Sequence, residues 1–158
     1  MIILKNNQKK YPIDTLRIEK LLECLCKHTG YKGFDITVWC TVDQTIRRYN
    51  RVYRHIDKIT DILSFPFHHN VLAGSRIIAQ SVDEEVLGDL IIAVPYVHRF
   101  CRKENYDFDV WMDRLLVHGF CHLIGYDHAA KLDHELMVLK EKELLLACGS
   151  FAAEKITF

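Results

Sequence analysis

No apolar run in this chain reaches the roughly 18 residues that a membrane span requires, so no part of it is expected to enter a bilayer. The start, Met1-Ile-Ile-Leu-Lys5, lacks the basic-then-apolar layout of a secretory signal, which points to the cytoplasm. Six cysteines are present, but none forms a Cys-x-x-Cys pair. Four of the six lie in apolar helical or strand patterns. The expectation is therefore buried free thiols in a reducing cytosol, not a disulfide framework. The net charge is zero, with 21 basic and 21 acidic residues. Any contact with nucleic acid must then come from a local patch and not from an overall basic character. Repeats, low-complexity tracts and linkers are also absent. What is left is a chain of 158 residues, 49% hydrophobic and 27% charged, which reads as one soluble globular domain.

Periodicity suggests the order of elements. Met1 to Leu4 reads as a first strand. Thr15 is expected to cap a helix through Thr29 that buries Ile18, Leu21, Leu22, Leu25 and Cys26 and closes at Gly30. Phe34 to Val42 alternates as a half-buried strand. Asp43 is expected to cap a second helix running to about Arg54. Asp61 to Phe65 is a short strand stopped by Pro66, and His68 to Gly74 is a loop. Arg76 to Gln80 reads as a weak strand and Val86 to Val94 as a stronger one. Within the latter, Leu87-Gly88-Asp89 suggests a close backbone approach more than a catalytic carboxylate. Pro95 starts a further helix. Another helix opens at Phe108 or Asp109, and an amphipathic one runs from Lys131 to Cys148. Strands between groups of helices predict an α+β fold, a mixed sheet with helices packed on it.

The densest chemistry lies in His118-Gly-Phe-Cys-His122-Leu-Ile-Gly125-Tyr-Asp-His128. His118 and His122 are four apart and share one face of a helix. Gly125 tolerates the left-handed conformation that reverses a chain, and the reversal can bring His128 over the other two. Three neutral imidazoles with one open position are the design of a catalytic zinc site. The same spacing occurs in zinc peptidases of the type His-Glu-x-x-His-x-x-Gly-x-x-His, where the glutamate is the general base. Gly119 stands at that position here, which argues against peptide hydrolysis. Cys121 lies about 100° around the helix from His122 and reads as core. His68, His69 and His134 read as loop or surface residues.

A second constellation surrounds Asn50 to Pro66. It carries Arg47, Arg48, Arg51, Arg54, His55 and Lys58, with Tyr49 and Tyr53 among them. The guanidinium fork suits phosphate oxygens. Beside a metal site, phosphate recognition explains this run better than a solvated helix face does. Arg47, Arg48 and Arg51 are candidate RNA contacts.

Together the two segments resemble the YbeY family, bacterial metal-dependent endoribonucleases that act in ribosomal RNA maturation. The family signature His-Gly-x-Leu-His-Leu-x-Gly-Tyr-Asp-His is matched from His118 to His128. A second block, Asn-x-x-Tyr-Arg-x-x-Asp-x-Pro-Thr-Asp-Val-Leu-Ser-Phe-Pro, is matched by Asn50, Tyr53, Arg54, Asp57, Thr60, Asp61, Leu63, Ser64, Phe65 and Pro66. Leu-Gly-Asp-Ile appears as Leu87-Gly88-Asp89-Leu90, and the last helix, with Met137 and Glu141, fits as well. Cys121 stands for a usual leucine and Ile59 for a usual proline.

The resemblance implies one zinc ion on His118, His122 and His128, with Arg54 and His118 as the catalytic residues. It also implies single-stranded RNA, ribosomal RNA precursors and ribosomal particles as partners, with no DNA and no membrane. Zinc would bring the pKa of a bound water to about 7 and neutralise charge at the phosphate. Asp127 is a candidate for orienting a ligand. The nucleophile is either that water or the ribose 2′-OH. Two other functions compete: a metallohydrolase of peptidase type, and a non-enzymatic ribosome-associated protein with a structural zinc.

Overall fold

A computed structural model of the chain describes residues 1–150 and Ala152. Four strands form one mixed sheet: β1 (Ile2–Asn6), β2 (Asp35–Thr41), β3 (Ile62–Pro66) and β4 (Val86–Ala93). Their order is β1-β2-β4-β3, parallel except for the antiparallel β3–β4 pair. The helices are α1 (Thr15–Thr29), α2 (Asp43–Arg54), α3 (Val94–Glu104), α4 (Phe108–Leu123) and α5 (Lys131–Ala147). The α+β fold expected from the alternation of patterns is what forms.

Alternation along the strands gives the sheet two unlike faces. Ile36, Val38, Cys40, Leu90 and Ile92 point to the side of α1 and α4 and join Leu116, Phe120 and Leu123 in the main core. On the opposite face α2 packs, with Ile46 covering Leu63, Ile91 and Ala93 and Tyr96 of α3 at the margin. Asp89, exposed in β4, lies opposite Phe65 of β3 and does not line the cleft described below.

Several expectations need correction. The cap of α1 is Asp14, whose carboxylate accepts the Arg17 N–H at 3.0 Å, and not Thr15. Val42 precedes α2 without a side-chain cap, and Asp43 instead binds Arg99. Arg76 to Gln80 is not a strand. The Ile77 N–H donates to the Tyr31 hydroxyl at 3.1 Å instead of to a strand edge, and Ile78 faces outward. The expectation of six free thiols also fails. Cys24 on α1 and Cys148 at the end of α5 are brought side by side, with Cα atoms 5.9 Å apart, and form a disulfide. Their separation of 124 residues hid the pairing from any local pattern. Cys26, Cys40, Cys101 and Cys121 are free and buried, as expected.

The placement of α4 rests on Gly119. A Cβ there would lie 2.8 Å from both Ile62 Cδ1 and Leu90 Cδ2. A side chain here would push the ends of Ile62 and Leu90 aside before the helix could sit this close to β3 and β4. Gly119→Ala is expected to cost about 1–3 kcal/mol by overpacking, read as a lower urea midpoint at unchanged m-value. An unchanged midpoint would show that the helix and sheet give way freely.

Candidate metal centre

α4 carries His118 and His122 one turn apart on the side facing a cleft. The helix is capped by Asp107, whose carboxylate accepts the Val110 N–H at 3.0 Å, and it ends one residue beyond His122. Gly125 then reverses the chain with φ of +92°. A Cβ at Gly125 would also stand 2.6 Å from the Val71 carbonyl oxygen, so both conformation and space require glycine. The Tyr126 N–H closes the turn onto the Cys121 carbonyl at 3.0 Å. His128 thereby comes over the helix end. Its ring centre lies 5.7 Å from that of His118 and 5.0 Å from that of His122. One nitrogen from each of the three rings lies within 4.8 Å of the others.

Two hydrogen bonds prepare this triad. His118 Nδ1 lies 2.7 Å from the buried Glu141 carboxylate, and His122 Nδ1 lies 3.0 Å from the Tyr126 carbonyl. A carbonyl or an ionised carboxylate accepts only, so both Nδ1 atoms carry the proton and both Nε2 atoms keep a lone pair for a cation. Burial pushes the His122 imidazole down to about 4, with smaller contributions from His118 and His128. It is therefore neutral, and able to ligate, at pH 7. Three converging imidazoles with no fourth protein ligand among the described residues suit zinc in an open site.

The cleft beside the triad has a volume of about 750 Å³. Arg54, the last residue of α2, reaches it from the other side and donates to the Ser64 carbonyl at 2.9 Å. Its guanidinium carbon lies 5.9 Å from the Phe65 ring centre. Of the other arginines considered, Arg47 is engaged bidentately with Asp57 at 2.8 and 3.0 Å. Arg48 and Arg51 are exposed and do not line the cleft. Asp127 accepts the N–H of His128 at 2.8 Å and stands 4.0 Å from His122 Nδ1, whose hydrogen bond goes to Tyr126. His68 and His69, read as plain loop residues, do line the cleft; His134 does not. Cys121 is fully buried and its thiol is pushed far up by burial, in keeping with a core role.

Glu141 was singled out only as part of a resemblance, and its contact with His118 was not foreseen. A signal was available. Met137, Glu141, Leu144 and Leu145 form the buried face of α5, and a carboxylate in that series needs a partner.

An α+β fold with three converging histidines that could hold a metal, in one cleft with an arginine, is the arrangement a metal-dependent hydrolase would use. The comparisons make this specific: the chain belongs to the endoribonuclease YbeY family, whose model matches residues 3–149. It is 33% identical to human endoribonuclease YbeY over 148 residues, covering 94% of this chain and 88% of that one. It is 35% identical to endoribonuclease YbeY of Bacillus cytotoxicus over 133 residues, covering 84% and 85%. A solution structure of a Thermotoga maritima protein superposes with a TM-score of 0.56 at 22% identity, covering 99% of this chain and 97% of that one, which supports the fold.

Two outcomes test the centre. Glu141→Ala should weaken zinc binding by about 10- to 100-fold in a competition titration, the usual cost of losing a ligand's hydrogen-bond partner. Glu141→Gln, which keeps an acceptor, should lose less. Equal affinity in Glu141→Ala and the parent would remove Glu141 from the site. The second outcome concerns metal-free protein. His122 falls from its ordinary 6.5 to about 4 on folding, so between these values the unfolded chain binds the extra proton. Its contribution to stability is complete above pH 6.5 and is lost as pH falls towards 4. His122→Gln should flatten that part of the melting-temperature profile. Identical slopes in the two proteins would contradict the assignment.

Proposed function

We propose that this protein is a zinc-dependent endoribonuclease that cuts single-stranded RNA in the maturation of ribosomal RNA. Its substrates include the 3′ end of the small-subunit RNA, and it takes a further part in ribosome quality control. The chain acts as one unit, with ribosomal RNA precursors and ribosomal particles as its partners and DNA excluded. Action on ribosomal RNA precursors implies a cytoplasmic setting, where the Cys24–Cys148 disulfide is an unusual feature and the four free thiols are not; no helix among the described residues is long and apolar enough to cross a membrane. The observation that carries the reading is the shared cleft: three imidazoles poised to ligate on one wall, and an arginine on the other. The family name supplies the substrate class.

His118, His122 and His128 would hold one zinc per chain. When bound, zinc supplies Lewis-acid charge to the scissile phosphate and brings water towards ionisation near neutral pH. Arg54 binds a phosphate oxygen and stabilises the charge that grows there. The Ser64 carbonyl fixes its guanidinium without neutralising it. Glu141 and the Tyr126 carbonyl hold the two helical ligands in the right tautomer. Gly119 denies the site the glutamate base of zinc peptidases, and a glutamate there would have to displace the ends of Ile62 and Leu90.

Metal-loaded protein should cut single-stranded RNA, prefer it to a paired duplex, and leave unfolded peptide intact, with all activity lost to a chelator. Arg54→Ala should lower cleavage by about 100-fold, the scale for losing one preorganised donor, with zinc content and melting temperature unchanged. Arg54→Lys should recover only part of the loss. Chelator-sensitive proteolysis with RNA left whole would overturn this function.

A further inference from the structure

The cleft extends along α4 beyond the metal centre, over residues that neither the three histidines nor Arg54 account for. Trp111, Leu115, His118 and His122 follow one another at spacings of three or four along α4, Arg114 stands beside Leu115, and all five line the cleft. The part of this stripe before His118 is a supported aromatic surface. Trp111 stacks on Tyr106 with ring centres 4.6 Å apart and meets Phe100 at 4.9 Å, while Phe100 and Tyr106 stack at 6.1 Å. The Arg114 guanidinium carbon lies 4.8 Å from the Trp111 ring centre. The indole Nε1 is buried with no acceptor among the described residues, so ring packing holds this side chain.

A planar cation laid against a braced indole, one helical turn before a metal ligand, is a platform for another flat group. Unpaired nucleobases stack on aromatic rings and on guanidinium planes alike. We propose that Arg114 and Trp111 form a nucleobase subsite, which takes the base of a nucleotide flanking the scissile phosphate. This rests on the endoribonuclease reading above and adds to it a cause for single-strand preference. Both faces of a paired base are already occupied in a helix, whereas a base in a flexible strand can turn onto the platform. Stacking uses the π-face that every base has, so the subsite selects for an unpaired base and not for one of the four.

The test is a series of single-stranded RNAs with one abasic residue moved along the strand, cut by the metal-loaded full chain. In the parent protein, an abasic residue at one position beside the cut should raise KM about tenfold, within the range for one stacked base, with kcat within about twofold. Arg114→Ala should raise KM for intact RNA by a similar factor and abolish the further effect of the abasic residue. Arg114→Lys should behave like Arg114→Ala, because it keeps the charge and loses the plane. Zinc content should match the parent in both variants. Two results overturn the subsite while leaving the nuclease standing: RNA cut with no abasic position affecting KM, or full parental behaviour in Arg114→Lys. RNA left uncut by the metal-loaded parent overturns the underlying reading, and the subsite with it.

Discussion

The packing of α4 directly on β3 and β4 sets the dimensions of the site. At Gly119 the helix meets Ile62, Ser64 and Leu90 with no side chain between them. One stripe of the helix buries Leu116, Phe120 and Leu123, and another lines the cleft. The same strand that receives Gly119 also presents the Ser64 carbonyl to Arg54. β3 thus fixes the distance from the arginine to the histidines. A wider helix–sheet gap would move the two walls apart and leave each chemically intact but out of reach of a shared phosphate.

Charge is managed locally in a chain of zero net charge. Arg17 is matched by Asp113, Arg47 by Asp57 and Arg99 by Asp43. Arg54 is treated differently. Its anchor is a carbonyl, which positions the guanidinium without cancelling its charge. The fold thus separates arginines that lie close together in the sequence around the Asn50–Pro66 block. Arg47 has a committed carboxylate partner, and Arg48 and Arg51 stay outside the cleft.

What was legible in the sequence was whatever depends on near neighbours. The α+β order, the buried face of α1 and the reversal at Gly125 all follow from spacings of a few residues. The convergence of the three histidines was legible for the same reason. What escaped depends on contacts distant in sequence. Glu141 reaches His118 from 23 residues away, and Cys24 meets Cys148 across 124. The false strand at Arg76 to Gln80 had the right composition, but its Ile77 N–H is taken by the Tyr31 hydroxyl, 46 residues away in sequence. Trp111 and Arg114 carried no motif, and only the cleft they share with His118 gives them a role.

The three candidate ligands lie within eleven consecutive residues, His118 to His128, whereas Arg54 comes from the far side of the sheet. Closing the histidine turn costs little chain entropy, because the loop is short and half of it is already helical. Bringing Arg54 opposite requires the whole β3–β4–α4 assembly. The two halves of the site therefore differ in robustness. A damaged or partly folded molecule can retain its imidazole cluster after the Arg54 side has gone, so a metal titration alone would overcount the molecules in which both halves are assembled.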